Sequence, residues 1–404
     1  MAKVKIQGHA SGTGVVTVTA PNTSTDRTIT LPDATDTLIG TATTDALTTR
    51  VNGVGGRKNL IINGAMNVAQ RGTSSTGFTN GGGGYKTVDR YYMGEGGAPS
   101  GVFTITQDTD APDGFASSTK WDCTTADTSL AAADFLYIQQ SIEAQDLQHL
   151  SYGTSGALET TMSFWVKSKK TGTYVVWFYQ GDDGRHVQSQ YTVDAADTWE
   201  KKTCVIPADT TGVIDNNNGV GFEIRFILGA GTNYTSGTAA STWASYTAAN
   251  AYVGQTVNIA DSTDNYFQIT GIQLELGSVA TDFEHRSYGE ELALCQRYYY
   301  AHSDTAGQCV GGAGGFARSA TQIRTALSFP VTMRSSPSLS AGSGTNYYKF
   351  EHSSNTIYAT TLGLTNTNNK ATEIYASVSG ATQGDARTFA LNSGAAYVSF
   401  DSEL

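Results

Sequence analysis

Residues 269–300 read ITGIQLELGSVATDFEHRSYGEELALCQRYYY, and this stretch contains a transition between two kinds of structure. Polar and apolar residues alternate as far as Gly277, which predicts a half-buried β-strand that ends there. The expected faces of this strand are Ile269, Gly271, Gln273 and Glu275 on one side, and Thr270, Ile272, Leu274 and Leu276 on the other, more apolar side. A short charged segment follows, and then a stretch of helical character that ends in the aromatic trio 298–300. We therefore expect one β-domain to end here and another to begin.

The composition of the whole chain favours an all-β fold. The 404 residues include 45 Gly and 7 Pro, and only 15% are charged, against about 25% in typical soluble domains. Few windows show the period of an amphipathic helix, whereas Thr, Ser, Asn and Tyr, which favour strands and turns, are frequent. A chain of this length can bury more than one core, so two or three domains are expected.

Charge and cysteine content argue against several classes of function. The formal net charge is −11 and the pI is about 5.0, whereas nucleic acid binding requires a clustered basic surface. The four cysteines lack CxxC spacing, so neither a zinc site nor a disulfide framework is expected. No window approaches about 18 apolar residues, and the first residues contain no apolar signal region, so we predict neither membrane insertion nor secretion.

We divide the chain into three parts. Residues 1–57 are predicted to form a small β attachment module that ends in a flexible hinge. Residues 58–288 are predicted to form a jelly-roll β-sandwich, with strand candidates at 101–107, 134–142, 159–168, 173–180, 186–193, 199–206, 220–228, 256–259 and 266–276. Residues 289–404 are predicted to form a distal β-sandwich-like domain, with strand candidates at 328–339, 346–351, 356–359, 372–378, 386–391 and 396–401.

Several segments carry a resemblance to a known family. The runs QLELGSVATDFEHRSYGEELALCQRYY and NLIINGAMNVAQRG resemble segments of bacteriophage tail-fibre and related virion proteins, particularly those of marine and cyanobacterial phages. The pattern GTGVVTVTAPNTSTDRTITLPDATDTLIG is similar to the N-terminal segments of many phage fibre-like proteins. The resemblance implies a jelly roll related to carbohydrate-binding modules, a module at 1–57 that binds other tail or capsid proteins, and a homotrimer assembled in the host cytoplasm.

The sequence shows no catalytic motif. The GxSxG, HExxH, P-loop and EF-hand patterns are absent, and the six histidines lack i,i+4 pairing. Glycan hydrolysis requires two carboxylates on either side of the scissile bond, but the acidic pair Asp182-Asp183 is predicted to form a hairpin turn. We therefore expect no enzyme and no cofactor. Candidate oxygen ligands for a structural calcium ion are Asp209, Asp261, Asp264 and Asn265, but no specific metal site is predicted.

A saccharide-binding surface is predicted on the jelly roll. Aromatic rings stack against the apolar faces of pyranose rings, and amide groups bind sugar hydroxyls. If 159–168 and 173–180 form a hairpin, the alternation of side chains places five candidates on or near one surface: Trp165, Trp177, Tyr179, Gln188 and Gln190. The alternative is that both faces are buried, one in the sandwich and one under a loop or a neighbouring subunit.

A second candidate surface lies in the distal domain. The residues Tyr347, Tyr348, Tyr358 and Tyr375, with the loop 366–370, supply rings and amides of the kind used in adaptable recognition. The alternative is that they form ordinary β-turns and subunit contacts.

Together these features predict a non-enzymatic phage virion protein, first of all a tail fibre or adhesin that attaches the particle to host polysaccharide or lipopolysaccharide. Several weak contacts on one symmetric assembly would raise the effective concentration at a cell surface. Two other functions stay open: a purely structural capsid-decoration or tail-adaptor protein, and a glycan-degrading tailspike.

Overall fold

Antiparallel strands provide most of the regular structure of the described residues, 57–311 and 314–404 of a computed structural model. The predicted all-β class is confirmed. Apart from Arg57, the predicted attachment module at 1–57 lies outside the described residues, so its strands and its hinge stay predictions.

The first sandwich is built from two sheets. Its strands are β1 (Ser74–Phe78), β2 (Gly84–Tyr85), β3 (Tyr92–Gly96), β4 (Val102–Asp108), β5 (Ser118–Thr125), β6 (Phe135–Glu143), β7 (Thr160–Ser168), β8 (Gly172–Gln180), β9 (Arg185–Val193), β10 (Glu200–Ile206), β11 (Val220–Ala230), β12 (Ala244–Ser245) and β13 (Tyr266–Leu276). Sheet I has the order β1-β4-β5-β13-β7-β10, and sheet II has the order β12-β9-β8-β11-β6-β3-β2. Short helical segments lie between strands: Ala144–Leu150, α1 (Thr232–Thr235), Ala248–Asn250 and Ile259–Asp261.

The inner faces of sheets I and II enclose the main hydrophobic core, because alternate residues of a strand lie on opposite faces of its sheet. Its largest fully buried side chains include Phe103, Trp121, Phe164, Phe178, Phe226 and Phe267. Burying one large apolar side chain contributes about 1.5–3 kcal/mol. A separate and smaller hydrophobic cluster, which includes Val175, Trp177 and Tyr252, lies on the outer side of sheet II.

The hairpin expected between 159–168 and 173–180 does not form. β7 lies in sheet I between β13 and β10, whereas β8 lies in sheet II between β9 and β11. The connection through Lys169 and Lys170 therefore crosses from one sheet to the other. β8 pairs instead with β9, and Asp182 and Asp183 lie at the turn of that hairpin, as predicted. Alternation within a strand indicates which residues face the core, but it does not indicate which sheet the strand joins.

A β-bulge changes the facing of residues in β13. The register with β7 shifts after Thr270, and Gly271 has a φ of 62°, a left-handed conformation that glycine adopts without steric cost. As a result Ile269 belongs to the core, and Thr270 points to the outer face. The predicted facing is wrong before the bulge, whereas Ile272 and Leu274 face the core as predicted.

The second sandwich follows the helix α2 (Tyr288–Gln296), which lies in the stretch predicted to be helical. The helix ends before the aromatic trio that was predicted to belong to it, and Tyr299 and Tyr300 lie in the next strand. Its strands are β14 (Tyr299–Ser303), β15 (Gly315–Ser319), β16 (Gln322–Ser328), β17 (Ser338–Ala341), β18 (Tyr348–His352), β19 (Asn355–Ala359), β20 (Leu362–Thr365), β21 (Ala371–Ser377), β22 (Ala386–Leu391) and β23 (Val398–Asp401). Sheet III has the order β14-β23-β17, and sheet IV has the order β19-β18-β22-β15-β16-β21-β20. Their shared core includes Phe350, Ile374, Phe389 and Phe400.

The single strand predicted for 328–339 is wrong. β16 ends at Ser328 and β17 begins at Ser338, with an irregular segment between them. This segment contains Pro330 and Pro337, which have no backbone N–H to donate to a strand ladder. Its path is held by hydrogen bonds to other segments, such as the one from the N–H of Met333 to the carbonyl of Asn369, at 2.8 Å.

Buried ion pairs join the two sandwiches. Arg90, of the first sandwich, forms an ion pair with Glu403, and both side chains are almost completely buried. The guanidinium of Arg90 also lies 3.4 Å from the ring centroid of Tyr298. Arg71 lies 3.0 Å from the carboxylate of Asp401. These contacts fix the end of β23 and the segment after it against the first sandwich.

Candidate functional site

The outer face of sheet II carries a row of polar and aromatic side chains that crosses five strands. The residues that lie opposite one another are Tyr92 on β3, Gln139 on β6, Arg225 on β11, Trp177 on β8 and Gln188 on β9. Glu223 and Tyr179 lie opposite each other in the next row. We define the Arg225 face as the surface formed by Tyr92, Gln139, Trp177, Tyr179, Glu223 and Arg225.

Two glycines of β3 make room for aromatic rings beside this face. Gly94 lies opposite Tyr137, and Gly96 lies opposite Phe135. A Cβ atom on either glycine would overlap the ring of its partner, so the missing side chains allow both rings to lie over the β3 backbone. Tyr137 then stacks on Tyr92, with ring centroids 6.2 Å apart.

Arg225 lies at the centre of the face, and hydrogen bonds fix its orientation. Its Nε donates to Oε1 of Gln139 at 2.7 Å, and a terminal nitrogen donates to Oε2 of Glu223 at 2.8 Å. The guanidinium carbon lies 4.4 Å from the ring centroid of Tyr137 and 5.0 Å from that of Trp177. About 18% of the arginine side chain stays exposed. The planar group therefore presents its remaining N–H donors in a fixed direction.

One side of the face is formed by stacked rings. Trp177 and Tyr179 stack with centroids 5.4 Å apart and planes 9° apart, and Tyr246 packs edge-on against both. Trp177 is only 3% exposed, whereas Tyr246 is 43% exposed. The indole N–H of Trp177 donates to Nδ1 of His186 at 3.0 Å, and burial lowers the pKa of His186, which favours the neutral imidazole that this bond requires.

The other side of the face is formed by Tyr92, which is half-buried. Burial, and then the negative charge of Glu95, raise the pKa of Tyr92. Its hydroxyl is therefore protonated at neutral pH and can donate a hydrogen bond. The polar centre around Arg225 thus lies between aromatic rings on both sides.

The structure brings together part of the predicted saccharide site. Trp177, Tyr179 and Gln188 lie on or beside the Arg225 face, and Gln190 lies on the same strand as Gln188. The side-chain amides of Gln188 and Gln190 both donate to the carbonyl of Val253, at 2.7 and 2.9 Å. These amides hold a covering loop in place, which agrees with the alternative that a loop buries part of this face.

Trp165 does not share that surface, contrary to the prediction. It lies in β7 between two residues that face the core, so its side chain is on the outer face of sheet I. The separation follows from the crossing between β7 and β8. On sheet I, Trp165 lies beside the bulge at Gly271, where the missing side chain makes room for its ring and for that of Phe115.

The predicted distal tyrosines are divided between core and surface. Tyr348 was predicted to lie on the distal surface, but it is fully buried. Its hydroxyl donates to the carbonyl of Tyr397 at 3.1 Å. Tyr347 packs against the same core. Tyr358 on β19 is exposed, and Tyr375 on β21 is half-buried on the outer face of sheet IV.

Four residues of the face were not among the predicted site residues: Tyr92, Gln139, Glu223 and Arg225. For two of them a signal exists, because Glu223 and Arg225 alternate with the apolar core residues of β11 and so mark its outer face. The glycines at alternate positions of β3 are a further signal of close packing against a neighbouring strand. No local pattern indicates that β3, β6, β11 and β8 lie side by side.

The described residues contain neither a metal-binding cluster nor a helix suited to cross a membrane. Within 57–311 and 314–404, no three His, Cys, Asp or Glu side chains are placed to hold a metal ion. Two of the calcium candidates have cationic partners: Asp209 lies 2.7 Å from Nε of Arg185, and Asp261 pairs with Lys170. Over the same ranges, no helix has the length and hydropathy of a membrane span.

No protein-family model matches this chain, and no curated protein matches it either. Solved structures with a similar fold include the enzymatically active domain of tailspike protein 4 from bacteriophage CBA120, at 13% identity over 54% of this chain and 21% of the tailspike chain, with a TM-score of 0.28. A putative sugar binding protein from Bacteroides thetaiotaomicron is 12% identical over 55% of this chain and 100% of its own, with a TM-score of 0.30. The tripod from the baseplate of bacteriophage Tuc2009 is 14% identical over 58% of this chain and 60% of its own, with a TM-score of 0.24. The chain thus spans about a fifth of the tailspike chain.

Proposed function

We propose that this chain is a non-enzymatic bacteriophage virion protein that attaches the particle to host cells by binding surface saccharides through the Arg225 face. The observation that carries the saccharide assignment is the row from Tyr92 to Trp177, in which a fixed polar centre lies between aromatic rings. The assignment to a phage virion rests on the sequence resemblance of residues 273–299 to tail-fibre proteins.

The chemistry of the face suits a sugar. Sugar hydroxyls both donate and accept hydrogen bonds, and the C–H faces of pyranose rings stack on aromatic rings. Arg225 and Tyr92 supply donors, and the exposed ring of Tyr246, which packs beside the face against Trp177 and Tyr179, supplies a stacking surface. Because Glu223 compensates the charge of Arg225, the face favours uncharged segments of a capsular polysaccharide or lipopolysaccharide.

Binding without hydrolysis fits the residues of the face. A glycosidase requires two carboxyl groups about 5–9.5 Å apart across the scissile bond. The row from Tyr92 to Gln188 contains no carboxylic acid, and Glu223 in the next row is held by Arg225 at 2.8 Å. We therefore favour an adhesin over a glycan-degrading tailspike.

The proposal includes assembly with other virion proteins and with further copies of this chain. We place attachment to other virion proteins in residues 1–57 and propose a homotrimer, both from the family resemblance. Three copies that meet one cell surface would convert weak saccharide contacts into firm attachment through a high effective concentration.

A purely structural virion role is the second candidate, and one observation favours it. Trp177 is only 3% exposed beneath the loop that carries Tyr246 and Tyr252. A large part of the aromatic surface of sheet II is thus already packed within the chain. In a purely structural protein, the rest of the face would contact neighbouring virion proteins.

Binding of the full-length chain to arrays of bacterial capsular polysaccharides and lipopolysaccharides tests the proposal. We expect saturable binding that is weakened in Tyr92→Ala and Tyr179→Ala and retained in Trp165→Ala, which removes an aromatic side chain from the opposite face of the same sandwich. Circular dichroism checks that each variant is folded. Binding to none of the preparations, or equal loss in all three variants, would contradict the proposal.

A further inference from the structure

The outer face of sheet IV repeats, in the second sandwich, the arrangement found around Arg225. Phe316 on β15, Arg324 on β16 and Tyr375 on β21 lie opposite one another on three adjacent strands. An arginine therefore lies in register between two aromatic residues. Arg225 likewise lies close to aromatic rings on both sides.

The hydrogen bonds of Arg324 correspond to those of Arg225. Its Nε donates to the amide oxygen of Gln322 at 2.9 Å, and a terminal nitrogen donates to the carboxylate of Glu373 at 3.0 Å. In both cases an amide oxygen accepts from Nε and a carboxylate accepts from a terminal nitrogen. The positions of amide and acid along the strands differ, since Gln322 is on the strand of its arginine and the amide partner of Arg225 is on the neighbouring strand. The correspondence therefore lies in the three-dimensional arrangement.

One of the two aromatic residues beside Arg324 is open to solvent, whereas the Arg324 side chain itself is 13% exposed. Phe316 is 47% exposed, and the ring of Tyr375 lies over the backbone of Gly363, where a Cβ atom would overlap it.

We propose that this surface is a second saccharide-binding site, which takes a neutral hexose unit. We define it as the Arg324 face: Phe316, Gln322, Arg324, Glu373 and Tyr375. Phe316 offers an exposed ring for stacking. Arg324 and Glu373 offer donors and acceptors whose charges compensate each other, so the site does not select sulfated or uronic sugars. The ligand class rests on the proposed function of the Arg225 face, whereas the geometry is independent of it.

Two sites in one chain would change how the protein binds a surface. Each sandwich would hold a separate unit of the same polysaccharide, and the second contact would form at the effective concentration set by the first. Weak sites would then produce strong attachment even before the chain assembles with other copies.

The position of the tryptophans allows the two sites to be measured separately. All five tryptophans, Trp121, Trp165, Trp177, Trp199 and Trp243, precede the second sandwich. Tryptophan fluorescence therefore reports on the first sandwich, whereas calorimetric titration reports on both.

The full-length chain, Phe316→Ala and Tyr397→Ala are titrated with maltotriose, cellotriose, mannotriose and β-1,4-galactotriose. Tyr397 is 41% exposed in the same sandwich but outside the Arg324 face, so Tyr397→Ala is the matched control.

For at least one trisaccharide we expect the chain and Tyr397→Ala to bind at two sites. In Phe316→Ala the affinity of one site should fall roughly three- to tenfold, while the fluorescence titration is unchanged. Unchanged calorimetric titration of Phe316→Ala, or no heat with any of the four sugars, would overturn the second site. A third result would separate the two proposals: heat is lost in Phe316→Ala, and the wild-type chain shows no change in fluorescence. The Arg324 face would then bind the sugar, and the proposed saccharide binding by the Arg225 face would be wrong.

Discussion

Trp165 and Trp177 lie on opposite outer faces of one sandwich, although the strands that carry them follow each other in the chain. Their neighbours in sequence, Phe164 and Phe178, face the same core from the two sides. Only Trp177 lies beside a fixed arginine. The two tryptophans therefore distinguish the candidate binding face from the opposite face of the same domain.

Gly94→Ala is expected to disturb the Arg225 face by displacing a ring that packs against it. The new Cβ atom would overlap the ring of Tyr137, which supports both Tyr92 and Arg225. Overpacking of this kind costs about 1–3 kcal/mol of unfolding free energy, measurable by urea denaturation, and saccharide binding should weaken in the same variant. Gly289→Ala is the control, because Gly289 lies in helix α2 with no atom near its added Cβ. It should stabilise the chain by up to about 1 kcal/mol, and a loss of stability equal to that of Gly94→Ala would contradict this account.

Glu403→Gln is expected to destabilise the chain strongly. Arg90 and Glu403 are both almost completely buried, and removal of one partner of a buried ion pair leaves an uncompensated charge at a cost of about 3–5 kcal/mol. Glu351→Gln is the matched control, because Glu351 pairs with Lys349 on an exposed hairpin and is 46% exposed. Exposed pairs contribute about 0–1 kcal/mol. Similar urea unfolding curves for the two variants would show that the contact between the sandwiches contributes little.

Asp89 is expected to make stability fall as the pH rises. Burial, opposed by Arg71, raises the pKa of Asp89 from 3.8 to about 6. Between these pH values the folded chain binds the proton more tightly than the unfolded chain does. The protonated carboxyl group therefore contributes fully to the unfolding free energy below about pH 4, and this contribution is lost as the pH rises through 6. The total loss is about 3 kcal/mol. Asp89→Asn lacks the titrating group. The unfolding free energy of the wild type minus that of Asp89→Asn should therefore fall between pH 4 and pH 7, and a difference that is constant or rises with pH would contradict the assignment.

The position of a strand along the chain was easier to predict from the sequence than the strand with which it pairs. β13 was expected at 266–276 and is observed as Tyr266–Leu276, because apolar alternation is strong there. β5, which reads STKWDCTT, was missed because only Trp121 and Cys123 mark its inner face clearly. The strand predicted at 256–259 is absent, and a short helical turn begins at Ile259 instead.

Only part of the candidate site could be predicted, because its residues come from strands that are far apart in sequence. Trp177 and Tyr179 were identified because alternation within β8 shows which residues face outward. Arg225 comes next to them only through the pairing of β8 with β11, strands far apart in sequence. The bulge at Gly271 and the crossing after β7 are likewise set by packing of the whole domain. Local pattern carries none of this information.

Tryptophan fluorescence can show whether a saccharide binds at the Arg225 face. A saccharide that the wild-type chain binds is added to Trp177→Phe and to Trp165→Phe, and the change in fluorescence is measured. Both substitutions keep an aromatic ring, and circular dichroism confirms folding. We expect the change to persist in Trp165→Phe and to be lost in Trp177→Phe, because of these two tryptophans only Trp177 packs against Tyr179 and Arg225. A change that persists in Trp177→Phe and is lost in Trp165→Phe would place the ligand on sheet I and contradict the Arg225 face as the binding site.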